Sequence, residues 1–467
     1  MKVKLFIYSI LAFFLLLAFW AFFTFRNSFK EKPVDETRTV YVKKTEPGYQ
    51  LFRNGEPFYI KGAGGDSYFK ELAEIGGNTV RLYDTLNLQN KLDEAHKYNL
   101  AVIVDLPLYR FETSYNQYLI KDDVHLLKKN IKNLVKEYKN HPALLMWNLG
   151  NELQYPVVFQ KNRIATNFDD VREIFKVLFQ RRKFIRTFNE LLDFIHAEDP
   201  NHPVTTSVAT NKFWKKLLNI HVYSPDIDVI GYNIFAPPMR IKPQLNKLSK
   251  IIKMKPFYIS EWGTEGPWAQ EKTSWGAPIE TTSTNKGQQY KENYLIFKNQ
   301  YSESLGSAVF FWGQKQERTH TWFNIFDNEG RKSQVFYELQ KFWSNDTTAT
   351  TEPPQIRYMM IENKGANDHL VFKPNELRTA QLYFDTTTDS TFQYYWEIHN
   401  EGWNYEGGGA KHKPTEKIEG CIETTAENEV VFKAPSAEGP YRIFAFIYDK
   451  HGNFATTNTP FYVLKNK

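Results

Sequence analysis

The chain has 467 residues, 42% of them hydrophobic and 24% charged, a balance that supports packed cores and excludes wholesale disorder. Its net charge of +6 is small for this length and its Lys and Arg residues are scattered, which excludes the basic stripe of a nucleic-acid-binding protein. A single cysteine, Cys421, excludes an intramolecular disulfide framework and a cysteine-rich metal site.

Residues 5–25 (LFIYSILAFFLLLAFWAFFTF) carry no charge. At about 1.5 Å per residue such a stretch spans roughly 30 Å, the hydrocarbon thickness of a bilayer. Ala18 and Ala21 are three apart among bulky rings, unlike a cleavage site, so residues 1–27 are predicted as an uncleaved signal anchor and transmembrane helix. Lys2 and Lys4 before it and Arg26, Lys30 and Lys32 after it nearly cancel as topological signals. The charged, Pro-containing residues 28–48 read as a stalk without a core.

Beyond the stalk, short apolar runs alternate with amphipathic helical stretches, as expected of parallel strands joined by crossover helices. The strands are PFYIKG (57–62), NTVRLY (78–83), LAVIVDLP (100–107), ALLMWN (143–148), PVTTSV (203–208), DVIGYN (228–233), PFYIS (256–260) and SAVFFW (307–312). Residues 122–140 exemplify the helices, with apolar positions three and four apart. Eight such units in about 290 residues predict an α/β fold, a (β/α)8 or TIM barrel over residues 49–343. Residues 344–354 (SNDTTATTEPP) form a linker, and 355–467 alternate as an all-β sandwich of immunoglobulin-like type.

Barrel active sites lie at the C-terminal strand ends. There the fourth strand runs through WNLGNE to Glu152 and the seventh through YISEWG to Glu261. Either glutamate alone is readily explained as a solvated loop residue; the pair at one mouth is not. Arg81, ending the second strand, is a candidate donor to Glu261, and Trp262 and Trp312, at strand ends, are candidate sugar platforms. Trp268 and Trp275 lie in a Gly/Pro-containing loop and could line further subsites, while Trp147 reads as barrel filling. GAGG (62–65) lacks the spacing of a phosphate loop and needs only a tight turn. His125, His141, His202, His221 and His320 are scattered and read as structural, Asp66 has no assigned role, and no metal or other cofactor is expected.

MWNLGNE and FYISEWG resemble the acid/base and nucleophile signatures of glycoside hydrolase clan A, in that clan's strand order. Within it the barrel most resembles the family 2 catalytic domain, and NTVRLY and VIVDLPL are similar to the β-1,3-glucanosyltransferases. The resemblance implies Glu152 as acid/base and Glu261 as nucleophile, Tyr232 as a hydrogen-bond partner of Glu261, and Asn151 as a contact to the sugar 2-hydroxyl. Glu152 is then expected to have a raised pKa, and Glu261 to be held ionised by donors. The C-terminal region resembles immunoglobulin-like or cadherin-like modules of bacterial polysaccharide enzymes, with Trp403 and Tyr405 as possible sugar contacts. The expectation is a membrane-anchored, extracytoplasmic retaining β-glycosidase acting on carbohydrate. The alternatives are a β-glucan transglycosylase using the same glutamates, and a non-catalytic carbohydrate-binding or scaffold protein.

Overall fold

The computed structural model describes residues 8, 11–17, 19–20, 33–46, 48–109, 117–153, 168–211, 213–235, 237–344, 352–385, 391–401 and 414–465. The predicted membrane helix and stalk fall partly outside these ranges, and Trp403 and Tyr405 wholly so. Residues 8, 11–17 and 19–20 are helical and exposed, but no helix among the described residues is long and apolar enough to cross a membrane.

A small antiparallel sheet comes first: β1 (Val40–Lys44), β2 (Tyr49–Arg53) and β3 (Glu56–Phe58). The expectation that residues 28–48 lack a core is therefore corrected for residues 40–44, which pair in this sheet. Val40 and Leu51 are buried against Ile60, Ala101, Ile103, Leu145, Val229 and Tyr258, at the N-terminal end of the barrel interior. Arg53 Nη2 donates to the Pro142 carbonyl at 2.8 Å, fastening the sheet to a loop at that end. Residues 57–58, assigned above to the first barrel strand, belong to β3, because Phe58 pairs with Leu51.

The barrel follows. Its strands are β4 (Ile60–Gly64), β5 (Thr79–Leu82), β6 (Ala101–Leu106), β7 (Leu144–Asn151), β8 (Val204–Ala209), β9 (Val229–Ile234), β10 (Phe257–Trp262) and β11 (Gly306–Phe310), all parallel and closed into a ring. Around them run α1 (Phe69–Glu74), α2 (Leu88–Lys97), α3 (Lys121–Tyr138), α4 (Phe168–Glu198), α5 (Phe213–Tyr223), α6 (Lys242–Ser249), α7 (Ser283–Gln300) and α8 (Gln334–Trp343). In α3, Leu127, Ile131, Val135 and Tyr138 fall on one face and are buried, while Asp122 and Asp123 sit in the first turn, where the helix dipole favours them. Strands with both faces covered need not alternate in polarity, which is why β6 and β9 are buried throughout.

The C-terminal domain consists of two four-stranded sheets. One holds β12 (Ile356–Ile361), β14 (Leu377–Phe384), β17 (Glu429–Lys433) and β16 (Ile422–Thr425). The other holds β13 (Val371–Phe372), β19 (Phe454–Val463), β18 (Gly439–Tyr448) and β15 (Gln393–Asn400). Trp396, Ile398, Phe432, Ile443 and Phe461 fill the space between them, with Cys421 buried at its edge.

Candidate active site

Two strand irregularities shape the mouth of the barrel. Pairing of β7 with β8 shifts between Asn148 and Asn151, and pairing of β10 with β9 shifts between Tyr258 and Glu261. Such shifts re-aim side chains at a barrel rim. Gly150 (φ 87°), near the end of β7, and Glu152 (φ 54°), just after it, adopt left-handed backbone conformations, and Glu152 N donates to the Ser207 carbonyl at 2.8 Å. A non-glycine residue held in that conformation costs of order 1 kcal/mol or more, a cost common at functional positions.

Arg81 on β5 is wholly buried and organises the site. Its Nε and Nη2 donate to the two carboxylate oxygens of Asp105 at 3.0 and 2.8 Å, a forked pair. Nη1 donates to Glu261 Oε1 at 2.9 Å and to the Ser260 carbonyl at 3.0 Å, and Nη2 also reaches Asn151 Oδ1 at 2.9 Å. Asn233 on β9 completes the ring: its Nδ2 donates to Asn151 Oδ1 and to Glu152 Oε1, both at 3.0 Å, and its Oδ1 accepts from Ser260 Oγ at 2.7 Å. Glu152 and Glu261 are thus tied to one polar network from opposite sides of the barrel.

The electrostatics differ from the expectation. Burial pushes the Glu261 carboxyl up to about 7; Arg81 opposes this, while Glu152 and Asp105 add to it. The prediction that donors hold Glu261 ionised is corrected, because the Arg81 charge is shared with Asp105 and burial of the carboxyl outweighs what remains. For Arg81 burial alone would favour loss of the proton, but Asp105 and Glu261 outweigh it and hold the guanidinium charged. The carboxylates of this mouth form no grouping with His or Cys suited to a metal ion among the described residues.

An aromatic wall stands beside the network. The guanidinium carbon of Arg81 lies 4.9 Å from the centre of the Tyr83 ring, which meets Phe310 edge-on at 5.8 Å. Phe310, Trp322 and Phe323 form a buried cluster with Tyr83, Phe235 and Phe311 around it. Trp268, 54% exposed, packs edge-on to Phe235 at 5.8 Å and is the ring best presented to a ligand. Lys315 lies 4.7 Å from the Phe310 ring centre and lowers the Glu261 pKa slightly.

Three sequence-derived site residues lie elsewhere. Tyr232 is buried in the layer between β9 and the helices, between Phe213 and Phe257, and its hydroxyl bonds to no described residue. Strand alternation explains this: Asn233 faces inward, so its neighbour faces out. Trp262, next to Glu261, likewise packs outward on Tyr290 and Phe297. Trp312 is buried on Phe326 and donates from Nε1 to the Tyr68 carbonyl at 3.0 Å. Neither tryptophan can serve as an open platform. Trp275 packs on Tyr462 of the second domain, and Trp147 donates to Asp199 in the outer layer. Asp66 pairs with Lys91.

Sequence reasoning missed Asp105, Asn148, Ser207, Asn233 and Ser260. Asn148 Nδ2 donates to Asp105 Oδ1 at 2.6 Å and Ser207 Oγ reaches Asn148 Oδ1 at 3.3 Å. A polar side chain inside a strand that is otherwise apolar was the available signal, most plainly Asp105 in VIVDLP.

Residues 84–270 match the family model described as Glycosyl hydrolases family 2, TIM barrel domain. Similar solved structures include Bacteroides uniformis beta-glucuronidase 2 bound covalently to cyclophellitol-6-carboxylate aziridine, at 13% identity, TM-score 0.48, covering 91% of this chain and 48% of that one. An FMN-binding beta-glucuronidase from Facaelibacterium prausnitzii L2-6 matches at 15% identity and TM-score 0.48, covering 91% and 59%. Ruminococcus gnavus beta-glucuronidase matches at 17% identity and TM-score 0.46, covering 66% and 53%. The chain spans about half the length of these structures. No curated protein sequence matches it.

Proposed function

We propose that the barrel is a retaining β-glycosidase with Glu261 as nucleophile and Glu152 as acid/base. The observation that carries this is the placement of two glutamates at the ends of β7 and β10, joined through Arg81, Asn151 and Asn233. The similarity of residues 84–270 to a glycosyl hydrolase barrel family supports the same reading.

In the first step Glu261 attacks the anomeric carbon as Glu152 gives its proton to the departing glycosidic oxygen. This leaves a covalent glycosyl-enzyme and an ionised Glu152. In the second, Glu152 takes a proton from water, whose oxygen displaces Glu261 from the anomeric carbon and restores both groups. A sugar hydroxyl in place of that water gives the transglycosylase reading. Asn233 Nδ2, bonded to Glu152 Oε1, orients the acid, and Arg81 holds the nucleophile's Oε1, leaving its other oxygen to attack. Trp268 offers a ring face to a pyranose further out. The uncharged residues 5–25 support a membrane tether, and a barrel outside the cytoplasm follows from the proposed action on polysaccharide; release of the barrel from intact cells by external protease would test it.

The deciding experiment compares the protein with Glu261→Ala and Glu152→Gln on aryl β-glycosides and β-glucans. Glu152→Gln should lose about 10²–10⁴-fold in kcat/KM on substrates with poor leaving groups and far less on activated aryl glycosides, whose departure needs no proton, while kcat falls on both because the second step has lost its base. Glu261→Ala should be inactive on both, with azide restoring turnover to the α-glycosyl azide. Full activity of Glu261→Ala would overturn the assignment.

A further inference from the structure

A second cluster lies where the two domains meet, and it does not depend on the glycosidase reading. His320 belongs to the barrel loop between β11 and α8, whereas Glu397 and His399 are two residues apart on β15 and so share a face of the sandwich. His320 Nε2 lies 2.9 Å from Glu397 Oε1, and His399 Nε2 lies 3.1 Å from the same oxygen. One ligand atom from each residue falls within 4.8 Å of the others. Glu397 and His399 are nearly buried, and the rings of Phe444 and Phe446 stand at 4.6 and 5.8 Å from His320.

The tautomer of His399 makes this more than an ion-pair cluster. Its Nδ1 is 3.1 Å from the Thr415 carbonyl, an atom that only accepts, and 3.2 Å from Thr415 Oγ1, which can also accept; the carbonyl contact favours the hydrogen on Nδ1. The neutral ring then presents a lone pair at Nε2, and Nε2 makes no hydrogen bond to any described residue. A lone pair facing a carboxylate oxygen at 3.1 Å is repulsive unless a proton or a cation lies between them. A histidine whose other nitrogen donates to a backbone carbonyl is the usual form of a metal ligand. Two imidazoles and one carboxylate suit a borderline ion that takes four ligands, the fourth being water.

We infer that a divalent cation of the zinc type binds between His320, Glu397 and His399 and ties the last barrel loop to the C-terminal domain. That loop also carries Lys315, Trp322 and Phe323, so the ion would hold one wall of the candidate active site against the sandwich. The reading of His320 as merely structural changes accordingly: it is structural through a metal.

The test uses the full chain, stripped with chelator and titrated with Zn²⁺ by calorimetry, with thermal unfolding followed in parallel. One Zn²⁺ should bind per chain and raise Tm, and chelator should reverse the rise. His320→Ala lies in a loop and should fold; it should weaken binding about ten-fold or more and remove the Tm response. His399→Gln should do the same. Two results overturn the proposal: no Zn²⁺ uptake by the unaltered chain, which leaves a histidinium–glutamate pair, or uptake that is undiminished in both variants.

Discussion

Burial and Arg81 act on Glu261 in opposite senses, and burial wins, placing its pKa near 7 where a solvated glutamate stands at 4.5. Two consequences follow at this residue. If Glu261 must be ionised to attack, kcat/KM should rise with pH along an acid limb near pH 7, where a solvated nucleophile would give a limb near 4.5. For stability the sign is the reverse of the usual carboxylate. Between pH 4.5 and about 7 the unfolded chain gives up this proton before the folded one does, so stability falls as pH rises through that window and levels off above it. The difference corresponds to about 3 kcal/mol. Glu261→Gln should therefore be more stable than the unaltered protein at pH 8 by up to about 3 kcal/mol, and equal to it at pH 4. Denaturant unfolding at both values checks this; equal stability at pH 8 would mean that Glu261 is less strained by burial than its surroundings indicate.

At the scale of elements, β8, β9 and β10 meet inside the barrel, and a glycine lets them do so. A Cβ at Gly231 would stand 2.5 Å from Ser260 Oγ and 2.6 Å from Ser207 Oγ. Ser260 Oγ is the donor that holds Asn233, which in turn holds Glu152. Gly231→Ala should therefore cost about 1–3 kcal/mol through overpacking. It should also lower kcat more than it raises KM, because the acid is displaced while the sugar contacts remain. Kinetics on a poor leaving group beside thermal unfolding would separate these; loss of stability with kcat unchanged would confine the glycine to packing. The same elements explain which site residues were legible. Glu152, Glu261 and Arg81 end their strands and could be found by counting strands, whereas Tyr232 and Trp262 were misplaced by one position of strand alternation. Sequence position alone did not show that β7 and β10 carry register shifts at those points.

The whole molecule is held together by a buried polar seam between barrel and sandwich. Glu280 accepts from Lys286 Nζ at 2.5 Å, Thr319 Oγ1 at 2.6 Å, Thr321 Oγ1 at 2.9 Å and, across the seam, Asn458 Nδ2 at 2.8 Å. Arg442 of β18 donates to the Pro278 carbonyl at 2.7 Å, and Thr456 N donates to Ser283 Oγ at 2.9 Å. Removing one partner of a buried pair strands the other charge. Glu280→Ala should thus cost about 3–5 kcal/mol and uncouple the two domains, so that one calorimetric transition becomes two. A single transition at an unchanged temperature would show that the seam carries little of the coupling. The sandwich on this account is a brace for the loops around the mouth, which its position after a linker in the sequence does not reveal.

The sequence by itself determined the eight-strand barrel, the second β domain and the two strand ends that carry Glu152 and Glu261. Those rest on local periodicity and chain order, which a linear reading contains. Only the tertiary structure decided that Arg81 is shared between Asp105 and Glu261, that the Glu261 carboxyl is raised, that Trp262 and Trp312 are packed away, and that His320 meets Glu397 and His399. Each of these depends on which face a side chain takes and on what lies opposite it in a closed barrel or across a domain contact. Burial and charge sharing are properties of that arrangement in space, and residues far apart in the chain acquire them only on folding.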